Sequence, residues 1–277
     1  MAHTILRKEE LTREDYLLEV EAPEVAAHFR PGQFLVVKLH EHGERIPITI
    51  ADANPGKGTV TLIIKRAGKT THELGAFKVG QSIQDIMGPL GHPSDIENFG
   101  TVVCVGGGTG IASLHPIARA LKQAGNSVVT ILGARSKDIL FWEDHFRQFS
   151  DELIVTTDDG SYGRKGVVTV PLKELLSTRK IDRVVAVGPA VMMKFVALTT
   201  KESGVKTIVS LNPLMVDATG MCGVCRVFVN GEMKLACIDG PEFDGHAVDF
   251  QELMLRLAMF KGPEKRSLES YCGGRCS

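Results

Sequence analysis

The sequence predicts an antiparallel β-barrel, then an α/β domain on a doubly wound parallel sheet, then a small cysteine-bearing subdomain. Three observations predict it. Short apolar runs separated by turn signals fill the first hundred residues, strand–helix alternation opens at residue 101 on a glycine-rich turn, and cysteines at C-x2-C-x11-C follow near the C-terminus. The implied divisions are 1–98, 99–211 and 212–262, with a tail at 263–277. A chain of 277 residues is long enough for more than one core. A formal net charge of −1 gives no electrostatic case for nucleic acid or an anionic membrane. The N-terminal segment lacks the apolar core of a signal peptide. The most apolar later stretch, 184–198, is broken by Gly188-Pro189 and Lys194, so no membrane span is expected and a cytoplasmic location is the default.

In the first part, runs rich in Val, Ile and Leu at 16–20, 33–39, 47–51, 60–64 and 82–87 read as strands of a barrel. The Asn54-Pro55-Gly56-Lys57-Gly58 stretch makes a turn between two of them. Gly68-Lys69-Thr70-Thr71 opens a short helix at 70–77, whose free N–H groups and hydroxyls suit a diphosphate; a simple capped helix fits the same residues.

From residue 101 the texture changes. Thr101 to Val105 is a continuous apolar run, as in a strand buried on both faces, and Cys104 within it reads as a small hydrophobe. The run enters Gly106-Gly107-Gly108-Thr109-Gly110-Ile111-Ala112 and then a helical pattern to residue 121. Strand, glycine turn and helix in that order is the context of a pyrophosphate site, although G-G-G-T-G is not G-x-G-x-x-G and a tight packing turn is the competing explanation. Strands at 127–132, 153–157 and 183–187 alternate with helices at 140–149 and 170–176. The strands end at Gly133-Ala134-Arg135, Asp158-Asp159-Gly160 and Gly188-Pro189, small or polar residues on the edge where doubly wound sheets bind ligands.

The third part centres on Asp217, Cys222, Cys225 and Cys237. Asp217 stands five residues before Cys222, where a plant-type C-x4-C-x2-C loop would place its first cysteine. Ala218, Gly220 and Gly223 let such a loop wrap closely, and Asn230-Gly231 turns a hairpin between 226–229 and 233–236 that delivers Cys237. A 2Fe–2S cluster held by three thiolates and one carboxylate fits this spacing best; structural zinc fits the same donors, and an aspartate in such a loop also serves as a turn-former. A helix at 249–260 follows and stops at Gly262-Pro263. The tail, with Cys272 and Cys276, reads as flexible or as a segment that docks on a partner.

A barrel, a nucleotide-binding sheet and a 2Fe–2S loop in this order resemble the ferredoxin–NADP reductase superfamily, in its branch with a C-terminal 2Fe–2S module, from about residue 5 to about residue 260. That branch includes the electron-transfer subunit of dihydroorotate dehydrogenase and the small subunits of sulfide dehydrogenase and of electron-bifurcating NADH-dependent ferredoxin:NADP oxidoreductase. The resemblance implies FAD against Pro47, Ile48 and Thr49, with Arg45 one position ahead of the family's arginine. It places Ile63, Ile64 and Lys65 along the flavin, and Gly68, Lys69, Thr70 and Thr71 at its diphosphate. It implies a nicotinamide nucleotide site from Gly107, Gly108, Thr109, Gly110, Ile111, Gly133, Ala134, Arg135, Asp158, Asp159, Gly160, Gly188 and Pro189. The dihydroorotate branch carries four cysteines, so the Cys3Asp pattern here is more similar to the bifurcating small subunit. The implied activity is hydride exchange between NAD(H) and FAD, then single-electron exchange with the cluster, with no side-chain acid required. A larger flavin and iron–sulfur partner subunit is implied, because no electron acceptor beyond the cluster is visible in this chain.

Overall fold

The computed structural model describes residues 3–273. Residues 3–90 form a barrel of β1 (His3–Glu10), β2 (Asp15–Glu21), helix α1 (Pro23–His28), β3 (Phe34–Lys38), β4 (Arg45–Asn54), β5 (Thr59–Lys65), helix α2 (Lys69–Ala76), β6 (Ser82–Ile83) and β7 (Asp85–Leu90). The strands run in the order β6-β1-β2-β5-β4-β3-β7, and every pairing is antiparallel. The single strand expected at 82–87 is two short ones. β6 pairs with β1 at one edge, and after a break at Gln84 β7 pairs with β3 at the other. The chain thereby passes from one edge of the sheet to the other within a few residues, which leaves the barrel nearly closed. Alternate residues fill the inside: Leu18 and Val20 of β2, Leu35 and Val37 of β3, and Leu62 and Ile64 of β5 are buried together.

The second sheet is built from β8 (Thr101–Gly107), α3 (Gly110–Gln123), β9 (Ser127–Ala134), α4 (Glu143–Arg147), β10 (Glu152–Thr157), β11 (Arg164–Lys165), α5 (Thr169–Thr178), β12 (Arg183–Val187), α6 (Ala190–Lys201) and β13 (Thr207–Ser210). The order β11-β10-β9-β8-β12-β13 is parallel throughout, as the continuous apolar runs require of strands covered on both faces. α6 lies over the apolar stretch 190–201, where periodicity was masked because both faces of the segment are apolar.

Beyond residue 211 the chain forms the hairpin β14 (Arg226–Val229) and β15 (Glu232–Leu235), then β16 (Glu242–Asp244), α7 (Phe250–Ala258) and α8 (Lys261–Cys272). Asn230 and Gly231 both have positive φ, 53° and 78°, the backbone of a tight two-residue hairpin turn. β16 then returns to the parallel sheet and pairs with β13 as an antiparallel edge strand. Residues of this last part, among them Ala218, Val227, Ala236 and Phe250, share one core with Val103 and Val105 of β8 and with Phe34 and Val36 of the barrel.

Of the two alternatives for the tail, a flexible segment is corrected for residues 263–272, while docking on a partner stays an expectation. Residues 261–272 are helical and α8 packs against α2. α7 already ends at Ala258, and Gly262-Pro263 lies in the first turn of α8, where a proline's missing N–H costs nothing because that donor has no intrahelical partner. Cys272 closes this helix, and Cys276 lies outside the described residues. Among the described residues no helix is long and apolar enough to cross a membrane.

Candidate functional site

A cavity of about 650 Å³ opens where the barrel meets the parallel sheet. Pro47, Ile48 and Thr49 of β4 and Ile63, Ile64 and Lys65 of β5 form its barrel wall, with Thr71 of α2 beside them. Gly107, Gly108, Thr109 and Gly110 form the opposing wall together with Gly188 and Pro189. The structure therefore brings part of each sequence-predicted set around one space. A third wall, Ser210 to Met215, was missed by sequence reasoning. It is the segment that leaves β13 and runs into the cysteine loop, and it carries no residue pattern beyond Asn212-Pro213 to mark it.

The glycines of the turn after β8 divide their work. A Cβ on Gly110 would lie 2.4 Å from the Val187 carbonyl oxygen and 2.7 Å from Gly188, so this glycine lets α3 sit on β12. Gly108 has φ +55° and open space around its Cβ position, which leaves its backbone bare toward the cavity. Thr109 donates its hydroxyl to the buried Asp15 carboxylate of β2 at 2.7 Å, and Arg119 of α3 makes two bonds to Asp52 of β4 at 2.6 and 3.3 Å. These contacts fix the angle between the two walls.

At the start of α2, Thr71 Oγ1 accepts from the N–H groups of Ala67 and Gly68, both at 3.0 Å. Thr70 donates to Glu44 at 2.7 Å. The buried Tyr16 holds this turn from below by donating to the Thr71 carbonyl at 2.7 Å, and burial raises its phenol pKa. Gly68, Lys69 and Thr70 at the start of α2 are not on the cavity wall, and neither are Gly133, Ala134, Arg135, Asp158, Asp159 and Gly160 at the ends of β9 and β10. Ile111, in the first turn of α3, is fully buried. Arg45 stands exposed at the start of β4, where its charge helps to hold the Asp217 carboxyl low; it faces the cysteine loop and not the cavity.

In that loop Cys225 and Cys237 are both buried, and the Cys225 thiol donates to Cys237 Sγ at 3.1 Å. Burial and the neighbouring sulfur push the Cys237 thiol up to about 12. Cys222 is exposed on the same loop. The Asp217 carboxylate accepts from the backbone N–H groups of Thr219 and Cys222, each at 2.9 Å, and these bonds hold its pKa below the usual range. Ala218 beside it has φ +59°, a strained backbone for a residue with a side chain. Arg256 of α7 braces the loop by donating to the Val224 carbonyl at 3.1 Å.

Among the described residues the four predicted ligands do not close around one point, since no group of three such side chains stands within metal-binding reach. The donor chemistry nonetheless fits an iron–sulfur group. Two adjacent buried sulfurs resist ionisation unless a cation compensates them, and an exposed third thiol and a carboxylate sit on the same short loop.

Known proteins agree with this geometry. Residues 3–94 match the oxidoreductase FAD-binding domain, and residues 212–249 match the iron–sulfur cluster binding domain of dihydroorotate dehydrogenase B. A Thermotoga maritima protein described as a homolog of the dihydroorotate dehydrogenase B (NAD(+)) electron transfer subunit is 53% identical, over 96% of this chain and 94% of its own length. The Fusobacterium nucleatum electron transfer subunit of dihydroorotate dehydrogenase B is 31% identical over 90% of this chain and 98% of its own. A solved structure of an NADH-dependent reduced ferredoxin–NADP oxidoreductase, a flavin-based electron-bifurcating enzyme, superposes with a TM-score of 0.93 at 52% identity, covering 98% of both chains. With a barrel that matches an FAD-binding domain, a parallel sheet behind it and an iron–sulfur domain stitched to that sheet, the chain belongs to the family of dihydroorotate dehydrogenase B-type electron transfer subunits, flavin-dependent oxidoreductase subunits with a ferredoxin–NADP reductase-like core.

Proposed function

We propose that this chain is the NAD(H)-facing subunit of an electron-bifurcating NADH-dependent ferredoxin:NADP oxidoreductase, holding FAD and a 2Fe–2S cluster and working with a larger flavin and iron–sulfur subunit. The observation that carries the reading is the single cavity between barrel and sheet whose third wall, Ser210 to Met215, leads directly into the cysteine loop. Pro47 to Thr49 and Ile63 to Lys65 would hold the flavin ring, and Gly68 to Thr71 its diphosphate. The bare backbone at Gly108 and the N-terminus of α3 suit the pyrophosphate of NAD(H). Asp217, Cys222, Cys225 and Cys237 would ligate the cluster, with the carboxylate leaving the N–H groups it now accepts from. When bound, the flavin supplies the conversion between two-electron hydride chemistry and one-electron transfer. The protein's own part is positioning: Thr109–Asp15 and Arg119–Asp52 set the spacing of the walls, and the apolar Ile63 and Ile64 keep water from the cavity floor.

A second reading is an electron-transfer subunit of dihydroorotate dehydrogenase, favoured by the match of residues 212–249 and by the names of its relatives. Purification with the native partner separates the two. The first reading expects FAD and about two irons and two sulfides in this subunit, with NADH-driven reduction of NADP or ferredoxin by the complex. Dihydroorotate oxidation by the same complex would establish the second, and colourless protein containing zinc would end both.

A further inference from the structure

The turn joining β1 to β2 belongs to the barrel, yet three consecutive side chains from it reach the nucleotide-binding loops. Arg13 Nε lies 3.0 Å from Asp138, Glu14 accepts from Arg135 at 2.8 Å, and Asp15 accepts from Thr109 at 2.7 Å. Thr109 is in the turn after β8, and Arg135 and Asp138 follow the end of β9. In a doubly wound sheet these loops take the pyrophosphate and the adenosine ribose. A carboxylate near the ribose favours a 2′-hydroxyl, and a free arginine admits a 2′-phosphate.

Arg135, Ser136 and Lys137 are the groups here that suit a 2′-phosphate, and each is already engaged. Arg135 is paired with Glu14, Ser136 donates to Asp138, and the Lys137 ammonium lies 5.1 Å from the centre of the Tyr162 ring. The second oxygen of Glu14 holds Lys65 of β5 at 2.6 Å, so one carboxylate ties together the cavity wall and the end of β9. The hydrogen bond and charge of Lys65, opposed in part by burial, hold the Glu14 carboxyl below its usual range; it is ionised at neutral pH. Two carboxylates, Glu14 and Asp138, thus stand where a 2′-phosphate dianion would have to settle.

We propose that Glu14 is the specificity-determining residue of the nucleotide site: delivered from the barrel, it occupies Arg135 and repels a 2′-phosphate, so that the site takes NADH in preference to NADPH. The inference rests on the reading above that this site binds a nicotinamide dinucleotide. It adds a residue from outside the nucleotide domain to the selection.

The test uses the full chain loaded with FAD, at low ionic strength. Calorimetric titration with 2′,5′-ADP and with 5′-AMP reads the adenosine end alone, without hydride transfer. Glu14→Gln, which keeps shape and removes charge, raises the affinity ratio of 2′,5′-ADP over 5′-AMP by about fivefold, the scale of one solvent-screened ion pair. The ratio of kcat/KM for NADPH over NADH moves in the same direction. Adding Arg135→Ala to that variant returns both ratios toward the starting values, and Asp138→Asn shifts them upward on its own. A protein that binds 5′-AMP and oxidises NADH, but whose ratios do not move in Glu14→Gln, overturns the role of Glu14 alone. A protein that binds neither mononucleotide and oxidises neither dinucleotide overturns the underlying reading as well.

Discussion

Cys237 is buried against Cys225 with its thiol held neutral, and Asp217 is bound to the loop's own N–H groups. The two ligands therefore predict different failures. Cys237→Ser removes a buried sulfur that no neighbour replaces, and the expected outcome is loss of iron and sulfide on analysis of the purified protein. Asp217→Ala frees two backbone donors on an exposed loop; cluster content falls less, while the EPR signal and reduction potential shift. An unchanged spectrum in Asp217→Ala would remove the carboxylate from the ligand set. His115 gives a pH prediction. Burial, helped by the Arg119 charge, lowers its pKa to about 4, so the unfolded chain takes up a proton first. Its contribution to stability is present above about pH 6.5 and is lost as pH falls toward about 4. Urea unfolding at pH 7 and pH 5 should differ by about 2 kcal/mol less in His115→Leu than in the parent. At this scale the sequence was legible where a hairpin encodes contact, as with Cys225 and Cys237, whose sulfurs meet across it. Glu14 was not legible, because its partner Arg135 is 121 positions away and only the packed fold brings the two together.

The turn after β8 makes the element-scale case. Its strand, glycines and helix could be read in order, but which glycine serves packing and which faces the cavity required the neighbouring strand β12. Gly110→Ala drives a methyl into the Val187 carbonyl and is expected to destabilise the fold by about 1–3 kcal/mol, measurable as a lower denaturant midpoint. Gly108→Ala has room and costs about 1 kcal/mol through its positive φ, but it should weaken 5′-AMP binding more than Gly110→Ala does at equal folded fraction. Equal effects of the two on binding would refute this division. α6 and α8 were missed for opposite reasons. The first is apolar on too many sides to show a period, and the second carries a proline that reads as a stop but sits in a first turn.

Across the whole molecule, the order of parts along the chain was legible and their interlocking was not. Strand order in the parallel sheet depends on crossovers that no local pattern records, and β16 joins that sheet from beyond the cysteine loop. Residues 1–211 alone would leave β13 as a bare edge and open the shared core where Ala218, Val227 and Phe250 now lie. A chain ending at 211 is expected to aggregate or to lose several degrees of Tm relative to the full chain; a soluble fragment with unchanged Tm would show that the last part merely leans on the sheet.

Since β16 is translated only after all the candidate cluster ligands, the sheet's outermost lane cannot be laid until the ribosome has passed them. A stalled chain that exposes residues only as far as 241 should therefore carry β13 as an open edge, and limited proteolysis should cut it more readily than the full chain.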